Sequence, residues 1–423
     1  MKTFNKVLLS ALATLFLFAQ SAKAEDYGIR AFYGDKQRDR VVVIDVENMS
    51  LKGTIDTVGL DPYPVDQAGQ LDKVYAITRG SNSIDVIDAS TLKPMGLIEL
   101  EHFPRSSEAC NMALRLQLVT GVDKPMASLI DVQTDTIVAT VGDNSRVYPI
   151  DYGGSNATGH PFWFDDKRFA LIDRGSRSIS VYNVVKNRRG IWKTKLVNTV
   201  STPTAVHHFV NRDRSTLSDP EKKTYYALSE GSPSADIAPS VLKYMLRRGK
   251  LELIGEASLA ETGDPIIASM GSHHADVHPD GKHLYVGSTE GHIYVINMKQ
   301  MKVVKKIEAG LGAGHTTFIP ERNLAVITNH KDQFVTIIDT TNHTKITNIQ
   351  VSGPSKHGEI LQSHSSFVHP DKKHFYAFAT DNGVFYELDL EKLTVSRTLT
   401  LTPGGTPLQG VFMCQGEECE NHM

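Results

Sequence analysis

The chain has 423 residues, a net charge of −3 and 22% charged residues. So even a balance gives no basic face for nucleic acid or for an anionic membrane surface, and neither is expected as a partner. Its three cysteines, Cys110, Cys414 and Cys419, are too few for a disulfide scaffold, so packed apolar strands must hold the fold.

Residues 1–24 carry Lys2 and Lys6, an apolar run from Val7 to about Ala19, and the small-x-small triplet Ala22-Lys23-Ala24. That order predicts a cleaved secretory signal, a mature chain from near Glu25 and a periplasmic location. No later segment approaches the roughly 18 apolar residues of a membrane span.

From there the sequence repeats. "RVVVIDVENMSLKGTI" is followed by "KVYAITRGSNSIDVIDASTLKPMGLIEL" and "FALIDRGSRSISVYNV". Then come "LYVGSTEGHIYVINMKQMKVVKKI", "LAVITNHKDQFVTIIDTTNHTKITNI" and "FYAFATDNGVFYELDLEKLTVSRTL". Each copy is an alternating apolar run, a short Gly/Asn/Asp turn and a second alternating run, which predicts antiparallel hairpins. A period of about 40–50 residues with roughly four strands predicts an all-β propeller. Full units begin near Val65, Ser107, His160, His207, His274, His315 and His364. An eighth is split between residues 28–56 and "PLQGVFM" near the C-terminus. The expectation is eight blades, alternatively seven, over residues 25–413, with both chain ends in one blade. "VNRDRSTLSDPEKK" and "SEGSPSADIAPS" interrupt the His207 unit and read as surface loops.

The strand copies "YAIT", "YVGS", "AVIT" and "YAFA" resemble the YVTN propellers over nearly the whole mature length. That resemblance implies the fold, and it leaves open binding modules, dehydrogenase subunits and metalloenzymes.

A histidine stands twelve residues ahead of a strand residue in four units: His160 before Ile172, His274 before Val286, His315 before Ile327 and His364 before Tyr376. His207 or His208 takes that place in the interrupted unit, and His273 adjoins His274. His330 ends the second strand of its blade and is expected to return to the same face. In a propeller the innermost strands start at one mouth of the central channel, so these imidazoles are expected to converge there as metal ligands. Crowded imidazoles with nothing to bind would stay unsatisfied. In the units without histidine, counting back gives Asp66 and Glu108, carboxylates placed to act as general acid or base; Asp276 is a third. His278 and His369, in "VHPDGKH" and "VHPDKKH", fall on turns at the opposite face and read as structural.

An imidazole set suits zinc, copper, iron or nickel, and more histidines than zinc's four ligands favour a multinuclear copper centre. A His-His pair followed by single histidines on successive blades resembles the copper-bearing propellers of nitrous oxide reductase and thiocyanate dehydrogenase. The residues carrying it are His160, His207 or His208, His273, His274, His315 and His364. It implies a periplasmic copper oxidoreductase on a small sulfur or nitrogen compound, with a c-type cytochrome as electron acceptor. The cupredoxin domain that nitrous oxide reductase adds is missing from this sequence. The alternatives are a zinc or copper delivery protein and a propeller resembling the d1-haem domains of nitrite reductase. The tail 414–423 offers Cys414, Cys419, His422 and Met423 either as soft copper ligands or, for the two cysteines, as a disulfide.

Overall fold

The computed structural model describes residues 28–149, 157–210, 223–260, 271–358, 360–401, 407–414 and 421–422. The expected signal segment and the polar insertion 211–222 lie outside the described residues.

Eight antiparallel sheets form eight blades, so the count is eight and not seven. In chain order they are blade I (29–56 with 407–414), II (62–99), III (104–142), IV (162–201), V (206–258), VI (272–308), VII (313–350) and VIII (366–400). Asn421–His422 adds a fifth strand to blade VIII by pairing with Ser366 and Phe367, a contact the sequence did not announce.

Blade II shows why these residues make strands that pack on both sides. In Lys73–Thr78 every residue is buried. Val74 and Ala76 point into a cluster with Phe32, Val41 and Val43 of blade I. Tyr75 and Ile77 point the other way, against Val119 and Ile130 of blade III. Period-two alternation with both faces covered gives a near-continuous apolar run. The outermost strand Pro94–Glu99 has left the interface, and only Ile98 is buried.

The recurring V-I-D also has a mechanical cause. The aspartates at Asp45, Asp88, Asp131, Asp339 and Asp389 accept backbone N–H groups two or three residues on, at 2.7–3.0 Å. Each side chain therefore caps the turn into the outer strand.

The ring closes as the sequence predicted. Residues 407–414 form the inner strand of blade I, with Ile29 opposite Cys414 and Phe32 opposite Val411. Phe412 stacks on Phe367 of blade VIII at 4.8 Å between ring centroids, and Tyr33 meets Phe412 edge-on at 5.9 Å. Cys414 is disulfide-bonded and Cys110 is a free thiol. The bond removes Cys414 from any soft-ligand set; Cys419, Met423 and the His422 side chain lie outside the described residues.

Candidate metal centre

The inner strands share a defect at the channel mouth. In blade V, residues 207 and 208 stand opposite one residue of the next strand, because Val206 pairs Ser229 and Phe209 pairs Ala227. The same two-against-one bulge holds residues 273–274 of blade VI and 314–315 of blade VII. It recurs at 63–64 of blade II and 107–108 of blade III. A bulge breaks the pleat and re-aims its side chains, so it turns His207, His208, His274, His315 and Glu108 out of the inter-blade alternation. His160 and His364 lie just ahead of the first paired residues, Phe162 and Ser366. His330 follows the second strand of blade VII, Leu324–Asn329.

These seven histidines form one cluster, with His274 at its hub. From the His274 ring the centroids lie at 3.6 Å for His315, 5.0 Å for His208, 5.2 Å for His207, 5.9 Å for His364, 6.0 Å for His160 and 6.5 Å for His330. His330 and His364 stack at 4.2 Å, and His160 and His207 lie 5.0 Å apart. A tetrahedral ion held at about 2 Å by ring nitrogens sets the centroids roughly 5 Å apart, which matches His274 with His207 and His208 at 5.2 and 5.0 Å. The His274–His315 and His330–His364 stacks, at 3.6 and 4.2 Å, are closer, and a ring of each pair must turn before both bind one ion. His274, His315 and His330 bring ring nitrogens within 4.8 Å of one another and could hold a metal ion. His273 lies in the same strand, but its side chain is outside what the structure describes.

The far nitrogen of several rings is already committed, which fixes the tautomer. Nδ1–H of His208 donates to the Phe209 carbonyl at 2.8 Å, and Nδ1–H of His330 to the Gln362 carbonyl at 2.8 Å. Nδ1 of His160 hydrogen-bonds Glu108, and Nδ1 of His207 bonds Glu230 at 3.1 Å. Such partners orient a ring and leave Nε2 as the donor atom. Nε2 of His208 is buried and has no hydrogen-bond partner among the described residues. That is the local sign that the cluster fits an ion, since a buried lone pair left unmet is costly.

Burial pushes His208 and His330 down to about 4, so both are neutral and ligand-competent at neutral pH. For Glu108, burial would raise the carboxyl, but its pairing with His160 outweighs that and holds it below the usual carboxylate range. Burial takes Asp276 the other way, up to about 7, against the Thr316 amide that donates to it at 3.0 Å.

The predicted carboxylates part company. Glu108 reaches the cluster through His160. Asp66 lies two residues beyond the bulge of its strand and accepts hydrogen bonds from Ser107, at 2.6 Å from the hydroxyl and 3.2 Å from the amide, which ties blade II to blade III. The turn histidines keep their structural reading. His278 donates from Nε2 to the Thr340 carbonyl at 3.1 Å and accepts the Asp280 N–H on Nδ1 at 3.1 Å. His369 likewise bonds Glu47 at 3.0 Å and accepts the Asp371 N–H at 3.2 Å. Groups of His and Asp at these turns have metal-like spacing, but with both ring nitrogens engaged neither histidine has a lone pair to offer.

Sequence reasoning missed four charged residues of the mouth. Arg79, Arg174 and Glu230 follow the second strands of blades II, IV and V, at the place His330 takes in blade VII. The count that found His330 would have found them. Arg105, on the inner strand of blade III, had no such signal.

Fold and cluster together define a β-propeller with a partly buried polyhistidine site, whose buried triad His274, His315 and His330 could hold a metal ion. No protein-family profile matches the chain, and no curated protein matches it by sequence. Among solved structures it is similar to dihydro-heme d1 dehydrogenase NirN in complex with DHE, with a TM-score of 0.64 and 12% identity over 91% of this chain and 75% of that one. It is also similar to apo AztD from Citrobacter koseri, with a TM-score of 0.60 and 12% identity over 94% and 99%. Sqt1 of Saccharomyces cerevisiae aligns with a TM-score of 0.61 and 9% identity over 79% and 84%. Likeness at these identities is one of fold, and it agrees with the propeller. No helix among the described residues is long and apolar enough to cross a membrane.

Proposed function

We propose that this chain is a periplasmic metalloprotein, of the YVTN type its strands resemble, that holds copper in its histidine cluster and oxidises a small sulfur or nitrogen compound. Electrons would pass to a c-type cytochrome. One observation carries the reading: seven imidazoles meet in one cluster centred on His274, three of them buried and four half-buried, more than a single four-coordinate ion uses. His274, His315, His330 and His364 form one candidate ligand set, and His160, His207 and His208, with His273 beside His274, another. Bound copper would supply one-electron chemistry; the chain's own part is to orient His160, His207, His208 and His330 through their Nδ1 partners. Ring spacings of 3.6–6.5 Å leave no gap for a tetrapyrrole among these rings, which weighs against a d1-haem reading.

A delivery protein for zinc or copper is the second reading, and the carboxylates favour it. Glu108 is engaged with His160 and Asp66 with Ser107. Neither is plainly poised for proton transfer. Glu108→Gln separates the two: an enzyme keeps its metal and loses turnover, because shape is retained and proton transfer is not. In a carrier only metal affinity and transfer to an acceptor change. Metal retained without redox activity toward sulfur or nitrogen substrates would sink the enzyme reading.

A further inference from the structure

Beside His160 the channel mouth is cationic. Arg79, Arg105 and Arg174 come from three successive blades and flank the histidine cluster. Arg174 is matched: its Nη2 lies 2.7 Å from both oxygens of Glu230. The Arg79 guanidinium sits 4.7 Å over the ring of Tyr63, which in turn lies 6.3 Å from the His364 ring. Arg105 is different. It is 3% exposed, its Nη1 donates to the Thr158 carbonyl at 2.5 Å, and among the described residues no carboxylate forms an ion pair with it.

A guanidinium stays charged at any ordinary pH, and burying that charge without an anion is strongly unfavourable. Glu108 and Glu230 attract this guanidinium from a distance, but neither closes on it: Oε1 of Glu108 is committed to His160, and Glu230 to Arg174 and His207. A fork of parallel donors matches an oxyanion better than a spherical or linear one. His160 lies two residues past Thr158, the residue that Arg105 holds.

We propose that Arg105, flanked by Arg79, binds a small oxyanion at the rim of the histidine cluster. The site is set between the arginines and His160, so the anion would lie where it could also reach a bound ion. Recognition by the guanidinium needs no metal, so the proposal stands apart from the copper reading.

The test is calorimetric titration of sodium formate and sodium sulfate into the mature protein in chloride-free buffer, once metal-free and once loaded with zinc. Wild type is expected to bind at least one oxyanion saturably in the metal-free form. Arg105→Gln should weaken that binding by about tenfold or more, the scale of one charge-assisted contact. Arg105→Lys, which keeps the charge and loses the fork, should fall between and guards against misfolding of the first variant. Formate bound in preference to sulfate identifies a carboxylate ligand, and the reverse an inorganic oxyanion. No saturable binding in either form, equal binding by Arg105→Gln, or chloride and thiocyanate competing as well as the oxyanions would overturn the proposal. Failure of the protein to take up zinc would count against the metal reading alone, because the anion is also measured without metal.

Discussion

Single residues decide whether the cluster closes. Gly314 precedes His315 in its bulge, and a Cβ there would lie 2.1 Å from Nε2 of His330. Any side chain at 314 must therefore push His330 away or be displaced itself. Gly314→Ala is expected to leave the fold intact and to weaken metal binding about tenfold or more, read by competition with a chromogenic chelator. Unchanged affinity would mean that His330 is no ligand. Acid should act on the cluster and on His102, a buried ring that hydrogen-bonds Ser128 of blade III at 3.0 Å. Burial pushes His102, His208 and His330 down to about 4. Below their unfolded value near 6.5 the unfolded chain takes up protons that the native state refuses, so stability falls with pH from about 6.5 toward 4. Urea unfolding of the metal-free protein at pH 7 and pH 5 should show a loss on the order of 2 kcal/mol per such histidine, offset by about one histidine's worth because the raised carboxyl of Asp276 gains stability over the same range. A flat profile would mean that these rings take up protons within the fold.

At the scale of strands and blades, the sequence was legible wherever a rule of spacing survives duplication. Alternation gave the hairpins, and the split blade was readable because "PLQGVFM" has an inner strand's pattern without its partners; the aspartate caps that end the V-I-D strands were not read. The twelve-residue count put His160, His274, His315 and His364 at one mouth, yet they do not share one position. His274 and His315 sit in bulges, while His160 and His364 precede their strands. The count works only when the first hairpin keeps its length. In blade III Ala109 faces Leu118, where Ala275 of blade VI faces Val286. A two-against-one bulge leaves no mark in hydropathy, so its re-aiming of Glu108 and its sparing of Asp66 could not be read. The closure makes its own prediction. Phe412 stacks on Phe367 across the seam between blades VIII and I, buried in a cluster with Tyr33, Phe378 and Phe385. Phe412→Ala should cost about 3–5 kcal/mol, visible as a lower midpoint in chemical denaturation. A loss under about 1 kcal/mol would mean that the seam contributes little to stability.

For the whole molecule, the propeller brings eight inner strands to one axis, and side chains distant in sequence meet there as a result. His160 and His364 lie in blades IV and VIII, yet both stand beside His274. Imidazoles come to this mouth from blades IV to VIII and guanidinium groups from blades II to IV, so cation and anion sites would adjoin at blade IV. If His274 is the hub of a metal site and not a packing residue, bound metal depends on it. Metal content per chain, by mass spectrometry of wild-type protein and His274→Ala after loading with copper or zinc and desalting, tests it most directly. The account predicts at least one ion retained per wild-type chain and a loss of most of it in a variant whose circular dichroism is unchanged. Wild-type protein that retains no metal, or a folded His274→Ala protein that retains as much as wild type, would contradict it.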